Sequence, residues 1–437
     1  MNIIEHGQHF IQSLQALANR SAWEWRRCPP RSEGLRHCGD SLTCKWGSYT
    51  RHPWFFGGRQ EVRVQRHRCE RCQRTYSEQS ALLVGGSWYA REVQRTAIDY
   101  WQHLGTSVRR TAEVLRSWLG RQERWLLWRP LDAMPSEEER CHLSASTVER
   151  WLDRAGIVAQ STVPDQLAGA PCSGQVGVDG LWVRLRKGAK GVVLALVDSV
   201  SGLVWPPVVA QEESEPSWDD LVKRAVSAGL DLDTLRGVTS DSAAGIAGYL
   251  ERVLAWVNHQ RCVFHLWRNL AGELARQVAG AAPTGSGEGA AAKTARNQVR
   301  RELVALMHRV LDARSEAAGR AALAELAAHR LGAGLAQALD QHLDAALVYL
   351  LWYNQGLLRV GPEWLWRDFR LRLGHGRNQG STERLERAAL VWAIYRNFEP
   401  AQRRSERKRH YRWPGQSPLA VAGVPPGEVS YLDALAV

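Results

Sequence analysis

The stretch GQVGVDGLWVRL, residues 174–185, constrains the chain more than any other. Its alternating apolar residues read as a strand, and an aspartate, Asp179, stands in the middle of it. A charge inside so apolar a strand is costly to bury unless it is paired or holds a cation. Gly177 and Gly180 flank Asp179 and leave room for another segment to come close. Two more strand-like runs follow, GVVLALVD and GLVWPPVV, and the SVSG between them is hairpin turn chemistry. Next come a helix-like stretch over 216–228, a short strand GVTSD ending in Asp241, and the helix-like SAAGIAGYLERVLAWV. Strand ends of this kind are where open α/β sheets place their ligands. Taken singly, each aspartate is better explained as a satisfied structural carboxylate.

The 437 residues have room for several domains. Lys and Arg number 57 against 45 Asp and Glu, a net charge of +12. The excess is concentrated, because residues 1–130 hold 21 Lys and Arg against 11 Asp and Glu. A positive field gathered in one region points to a polyanionic partner, nucleic acid first. No apolar run approaches the roughly 18 residues that a membrane span needs, so no membrane partner is expected. The opening MNIIEHGQHFIQSLQALANR lacks the basic-then-apolar order of a secretory signal. A cytoplasmic, nucleoid-associated location and a reducing compartment are the expectation, and there clustered cysteines bind metal more often than they pair.

Five of the eight cysteines lie in residues 1–80. Cys69 and Cys72 form a C-x-x-C knuckle after the strand-like EVRVQRHR, and Cys28 and Cys38 form an expanded first knuckle. Together they are candidate ligands for one structural Zn2+, with His37 and Cys44 as substitutes. Unrelated buried cysteines are the competing reading. GTSVRRTAEVLRSWLG and LSASTVERWLDRAG both look like parts of helix-turn-helix units. In the second, Ser144 or Ser146 can cap a helix with Val148, Trp151 and Leu152 on its apolar face. Thr147, Arg150 and Arg154 then face outward, and with Arg109 and Arg110 in the first piece they are the candidate DNA-binding residues. An ordinary capped surface helix explains the second pattern as well.

Cys262 and His265 form a C-x-x-H pair in HQRCVFHLWRNL, a run that reads as the start of an amphipathic helix. The spacing puts both on one face, which suits metal ligands and core packing alike. Residues 279–292, AGAAPTGSGEGAAA, read as a flexible linker, and 297–353 as helical. NQGSTERLERAALVWAIYRNF offers a late helix over about 381–397, with Ser381 or Thr382 as its cap and Glu383 or Glu386 as acids; Arg387 lies one turn from Glu383.

A three-strand meander, a helix, a strand ending in Asp and another helix follow the order of the ribonuclease H-like fold. In that fold the first and fourth strands are neighbours, so Asp179 and Asp241 would face each other. VDGLWV, TSDSAAGI, RCVFHLWRNL and STERLER resemble, in order, the catalytic blocks of Mutator-like DDE transposases of bacterial insertion sequences. The resemblance covers about residues 174–400, and GQSPLAVAGV looks like the carboxyl end of such proteins. Departures are the expanded first cysteine knuckle and Glu386, where such families often carry Asn.

The resemblance implies a multidomain chain. A zinc ribbon over 1–80 and a helix-turn-helix region over 81–165 would precede a ribonuclease H-like domain over 170–275 and 375–400. A helical insertion over 276–374 would interrupt that domain, and a basic tail over 401–437 would follow. It implies Asp179, Asp241 and Glu383 as catalytic residues holding two Mg2+ or Mn2+ ions, with Glu386 the alternative third acid. Cys262 and His265 then read as a family marker beside the active site, not a separate zinc site. The implied partners are the element's terminal inverted repeats and target DNA, bound by a homodimer or larger oligomer. Rival readings are a DNA-binding regulator without catalysis and a nuclease without strand transfer.

Overall fold

The computed structural model describes residues 43–56, 58–77, 82–119, 141–280, 289–351, 357–373, 380–400, 415–424, 426–427 and 429–436. The chain divides into two compact units after Leu152.

In the first unit, β1 (Thr43–Arg51) pairs antiparallel with β4 (Val62–Cys69), and β4 pairs with β5 (Thr75–Ser77). A small hairpin of β2 (Trp54–Phe55) and β3 (Gly58–Arg59) lies between. Phe55, Val64, Leu83 and Ala90 form a small buried core. The helix α1 (Arg91–Leu104) ends at Gly105, whose left-handed φ of 57° stops it in the usual glycine manner. A short turn leads into α2 (Val108–Leu119), which packs on α1. The long helix α3 (Ala145–Leu167) begins here, with Ser144 as its cap: the Ser144 hydroxyl accepts from the Thr147 N–H at 3.2 Å. Val148, Trp151 and Leu152 are buried, as their spacing predicts.

In the second unit, a five-stranded sheet runs in the order β10-β9-β6-β7-β8. The strands are β6 (Gln175–Arg184), β7 (Lys190–Asp198), β8 (Val208–Ala210), β9 (Gly237–Ser240) and β10 (Asn258–Arg261). β6, β7 and β8 form an antiparallel meander, whereas β9 lies parallel to both β6 and β10. The third strand is shorter than GLVWPPVV suggests, because Pro206 and Pro207 have no N–H to give to a ladder. β10 carries the polar sequence NHQR, which has no apolar alternation; the expected helix therefore starts only after it.

Helix α4 (Glu215–Ser227) packs on β7 and β8, and α5 (Ala244–Val253) follows β9 and packs on α4. Helix α6 (Val263–Ala279) joins α7 (Ala290–Leu311), α8 (Glu316–Ala328) and α9 (Ala333–Asp340) around a separate core that includes Leu270, Leu303, Met307 and Leu326. Most of the Gly/Ala-rich linker, residues 281–288, lies outside the described residues.

The helical insertion ends earlier than residue 374. Helix α10 (Glu363–Leu373) packs Leu365, Trp366 and Phe369 against Leu181, Val193 and Ala195 of the sheet, so it belongs to the sheet's own core. Helix α11 (Thr382–Phe398) completes that core with Leu385, Ala389 and Trp392. The end of the chain is also more than a basic tail: Tyr431 packs edge-on against Tyr395, and the Ala434 carbonyl accepts from Gln166 at 3.2 Å. Residues 401–414 lie outside the described residues.

Trp392 is fully buried among Trp366 and Phe369. Trp392→Ala is expected to cost about 3–5 kcal/mol through lost burial and an unfilled cavity. Urea unfolding followed by far-UV circular dichroism checks this, and an unchanged transition would contradict the packing described.

Candidate functional site

Asp179 occupies the middle of β6, its side chain on the same face as Leu181 and Val183. It is only 5% exposed. The indole N–H of Trp366 donates to Asp179 Oδ2 at 2.9 Å, and the Gly180 N–H donates to Oδ1 at 2.9 Å. The third neighbour is Glu363, the first residue of α10, which shares a hydrogen bond with the Asp179 carboxyl. Burial, then the Glu363 hydrogen bond and charge, push the Asp179 pKa up to about 8.

His265 lies in the first turn of α6, also buried, with its Nε2 3.8 Å from Glu363 Oε2. Ligand atoms of Asp179, His265 and Glu363 all lie within 4.8 Å of one another. Burial lowers the His265 pKa, which keeps the imidazole neutral, and its Nδ1 has no hydrogen-bond partner among the described residues. Two carboxylates and a neutral imidazole make a donor set that fits a divalent cation.

Asp241 follows β9 directly. The last pair of the parallel register joins Gly177 of β6 to Thr239 of β9, each two residues before an aspartate, and Asp241 itself lies outside the group of Asp179, His265 and Glu363. The Asp241 charge acts on Asp179, His265 and His259. Its carboxylate accepts from the Ala243 N–H at 2.9 Å. Ser242 between them holds a left-handed φ of 61°, a conformation that non-glycine residues adopt at some cost. The turn is braced by Ser240, whose hydroxyl lies 2.7 Å from His259 Nε2 and accepts from the Ser242 N–H at 3.1 Å. A fourth carboxylate, Glu213, is pushed up by burial and by Asp241, and it hydrogen-bonds the Trp182 indole.

Both flanking glycines serve close approach. A Cβ on Gly177 would come within 3.0 Å of Pro362, the residue before Glu363, and one on Gly180 within 2.4 Å of the Glu213 carboxylate.

Glu383 is not part of this cluster. It sits in the first turn of α11, fully exposed, and hydrogen bonding to Ser381 holds its carboxyl below the usual range. Arg387, one turn on from Glu383, pairs with Asp153 at 3.4 Å. Glu386 pairs with Arg224 at 2.5 Å. The acid that joins Asp179 is thus Glu363, in GPEWLWRDF. The usable signal in the sequence was a Gly-Pro helix start followed at once by an acid and an apolar-periodic stretch.

Cys262, between β10 and α6, is fully buried, and its sulfur accepts from the Gly361 N–H at 3.2 Å. Of the candidate zinc ligands, Cys28 and Cys38 lie outside the described residues, as does His37. Cys69 ends β4, and the Cys72 N–H points at its sulfur at 3.5 Å across the turn before β5. Cys44 is exposed on β1, with its thiol 3.6 Å from the Arg68 carbonyl. Arg109 and Arg110 are exposed in the first turn of α2, both paired with Glu113. On α3, Arg150 and Arg154 are exposed, and Arg150 hydrogen-bonds Thr147 at 3.2 Å.

Residues 204–282 match the sequence model of a family described as Transposase, Mutator family. This segment belongs to the Mutator family of transposases. It contains Glu213, Asp241, Cys262 and His265, whereas Asp179 precedes it and Glu363 follows it. No curated protein matches the chain. A transposase acts on DNA, so DNA is the partner class that the match implies. No helix among the described residues is long and apolar enough to cross a membrane.

The raised Asp179 pKa has a consequence for stability in chelator-treated solution. A carboxyl whose folded pKa exceeds its unfolded value, ordinarily about 3.9, stabilises the fold less as pH rises from about 4 through about 8. Asp179→Asn does not titrate, so its melting temperature is expected to gain on the wild type over that window. Melting curves at pH 5 and pH 8.5 check this, and a constant difference between the two proteins would contradict it.

Proposed function

We propose that the chain is a DDE-type transposase that cleaves DNA at element ends and transfers the freed strand to target DNA, with Asp179, Asp241 and Glu363 as its acids. The observation that carries this reading is the meeting of Asp179, Glu363 and His265 within 4.8 Å, near enough to Asp241 to feel its charge, in a chain with a Mutator-family segment. The sheet order, with its first and fourth strands adjacent and parallel, supports a ribonuclease H-like catalytic domain. Glu363 takes the place that the sequence assigned to Glu383.

Asp179, Asp241, Glu363 and His265 would hold Mg2+ or Mn2+, two ions per site, and the imidazole favours the softer Mn2+. Such ions polarise a phosphodiester and activate the attacking oxygen in an in-line displacement. The chain's own part is placement. The Trp366 and Gly180 N–H groups fix both Asp179 oxygens, and the strained turn at Ser242 fixes Asp241. Water or a freed 3′-hydroxyl would attack the phosphate in line as its bond to the 3′-oxygen of the cut strand breaks, that oxygen leaving as a 3′-hydroxyl, so no covalent protein–DNA link is formed.

The first unit would bind the terminal repeats. The turn joining α1 to α2 and the exposed Arg109 and Arg110 suit a helix-turn-helix, with Thr147 and Arg150 on α3 as a second surface that Arg154, one turn on along the same helix, would extend. Cys69 and Cys72 at a hairpin turn suit half of a zinc ribbon, with Cys28 and Cys38 as the other half. Assembly as a dimer or larger oligomer on DNA belongs to the same proposal.

Asp179→Ala, Asp241→Ala and Glu363→Ala are each expected to lower Mg2+- or Mn2+-dependent cleavage of element-end DNA at least a thousandfold. Glu383→Ala and Glu386→Ala should remain within about threefold of the wild type. Loss of cleavage in Glu386→Ala or Glu383→Ala, with Glu363→Ala active, would move the third acid to α11.

A further inference from the structure

We infer that Cys262 is a positioning residue: it latches the segment that delivers Glu363 to the site. The inference rests on the reading of Glu363 as the third acid. Glu363 reaches Asp179 at the end of an irregular segment, residues 357–362, that follows the helical insertion. Such a segment has no ladder of its own, so bonds to its neighbours must hold it in place.

Three hydrogen bonds tie it to the sheet and to α6, while the Arg359 guanidinium ties it to the Leu311 carbonyl and to Asp312 at the end of α7. The Thr239 hydroxyl donates to the Leu358 carbonyl at 2.5 Å, the Val263 N–H donates to the Arg359 carbonyl at 2.9 Å, and the Gly361 N–H donates to Cys262 Sγ at 3.2 Å. The last lies two residues from Glu363, and the Gly361 carbonyl accepts from the Glu363 N–H at 2.8 Å. Cys262 also donates its own N–H to the Ser240 carbonyl at 2.6 Å, one residue before Asp241. Three residues on, its helix carries His265. A single buried residue thus touches each element that brings a ligand to Asp179. This explains why the motif pairs a cysteine with a histidine: the histidine joins the cluster and the cysteine fixes the acid beside it. Cys262 is therefore more than packing.

The test uses the full chain, without DNA, and measures Mn2+ binding by electron paramagnetic resonance, with melting temperature as the control for folding. Cys262→Ala is expected to weaken Mn2+ binding at least tenfold with little change in melting. Cys262→Ser, whose hydroxyl can still accept from Gly361, should recover much of the loss. Gly361→Pro removes the N–H and leaves the cysteine in place, so it should reproduce the loss and decides the matter if Cys262→Ala does not fold. Wild-type affinity in Cys262→Ala or Gly361→Pro would overturn the latch. Glu363→Gln, run in parallel, separates the two ideas. If it too binds as the wild type, the reading of Glu363 as a ligand fails; if it alone loses Mn2+, only the latch fails.

Discussion

The structure depends on a carboxylate buried inside a sheet. Asp179 stands in the strand that links the meander to the parallel pair, and its charge is removed from water at a large cost. Two N–H donors offset part of that cost. A second carboxylate, Glu363, is then set against it, which two anions tolerate only by sharing a proton or a cation. An arrangement selected for stability alone would not bring these acids together. The neutral imidazole of His265 adds a third donor, and with it the cluster has the makings of a cation site.

The chain meets this demand by bringing four distant segments together around the central strand of the sheet. β6 supplies Asp179, the turn after β9 supplies Asp241, the first turn of α6 supplies His265, and the start of α10 supplies Glu363. Between the last two lie helices α7 to α9, which share a separate core with α6. The far end of this insertion is tied back to the sheet at Gln260 of β10, whose amide donates to the Ala346 carbonyl and accepts from the Tyr349 N–H, both at 2.8 Å. The ends of the insertion are thereby held where the next segment can turn toward Asp179.

The parts of this arrangement governed by local chemistry were legible in the sequence. The apolar runs of β6 and β7 show as strands, Ser144 and Ser381 act as the caps their positions suggest, and Gly177 and Gly180 do admit close neighbours. β10 was hidden because NHQR, a short edge strand, lacks the alternation that marks strands. Glu363 was hidden for a different reason: spacing cannot say which of two late helices turns its first residue toward the sheet. Glu383 drew attention through its cap, yet an acid in a first helical turn is well explained by the helix dipole alone.

The claim that Glu363 completes the site is tested most directly by mapping the bound cation. Fe2+ loaded in place of Mg2+ or Mn2+, with ascorbate and peroxide, generates hydroxyl radicals that cut the backbone beside the ion. The expected breaks fall near residues 179, 241, 265 and 363, and excess Mn2+ suppresses them. Breaks over residues 381–387, with none near 363, would contradict the arrangement and place the third acid on α11.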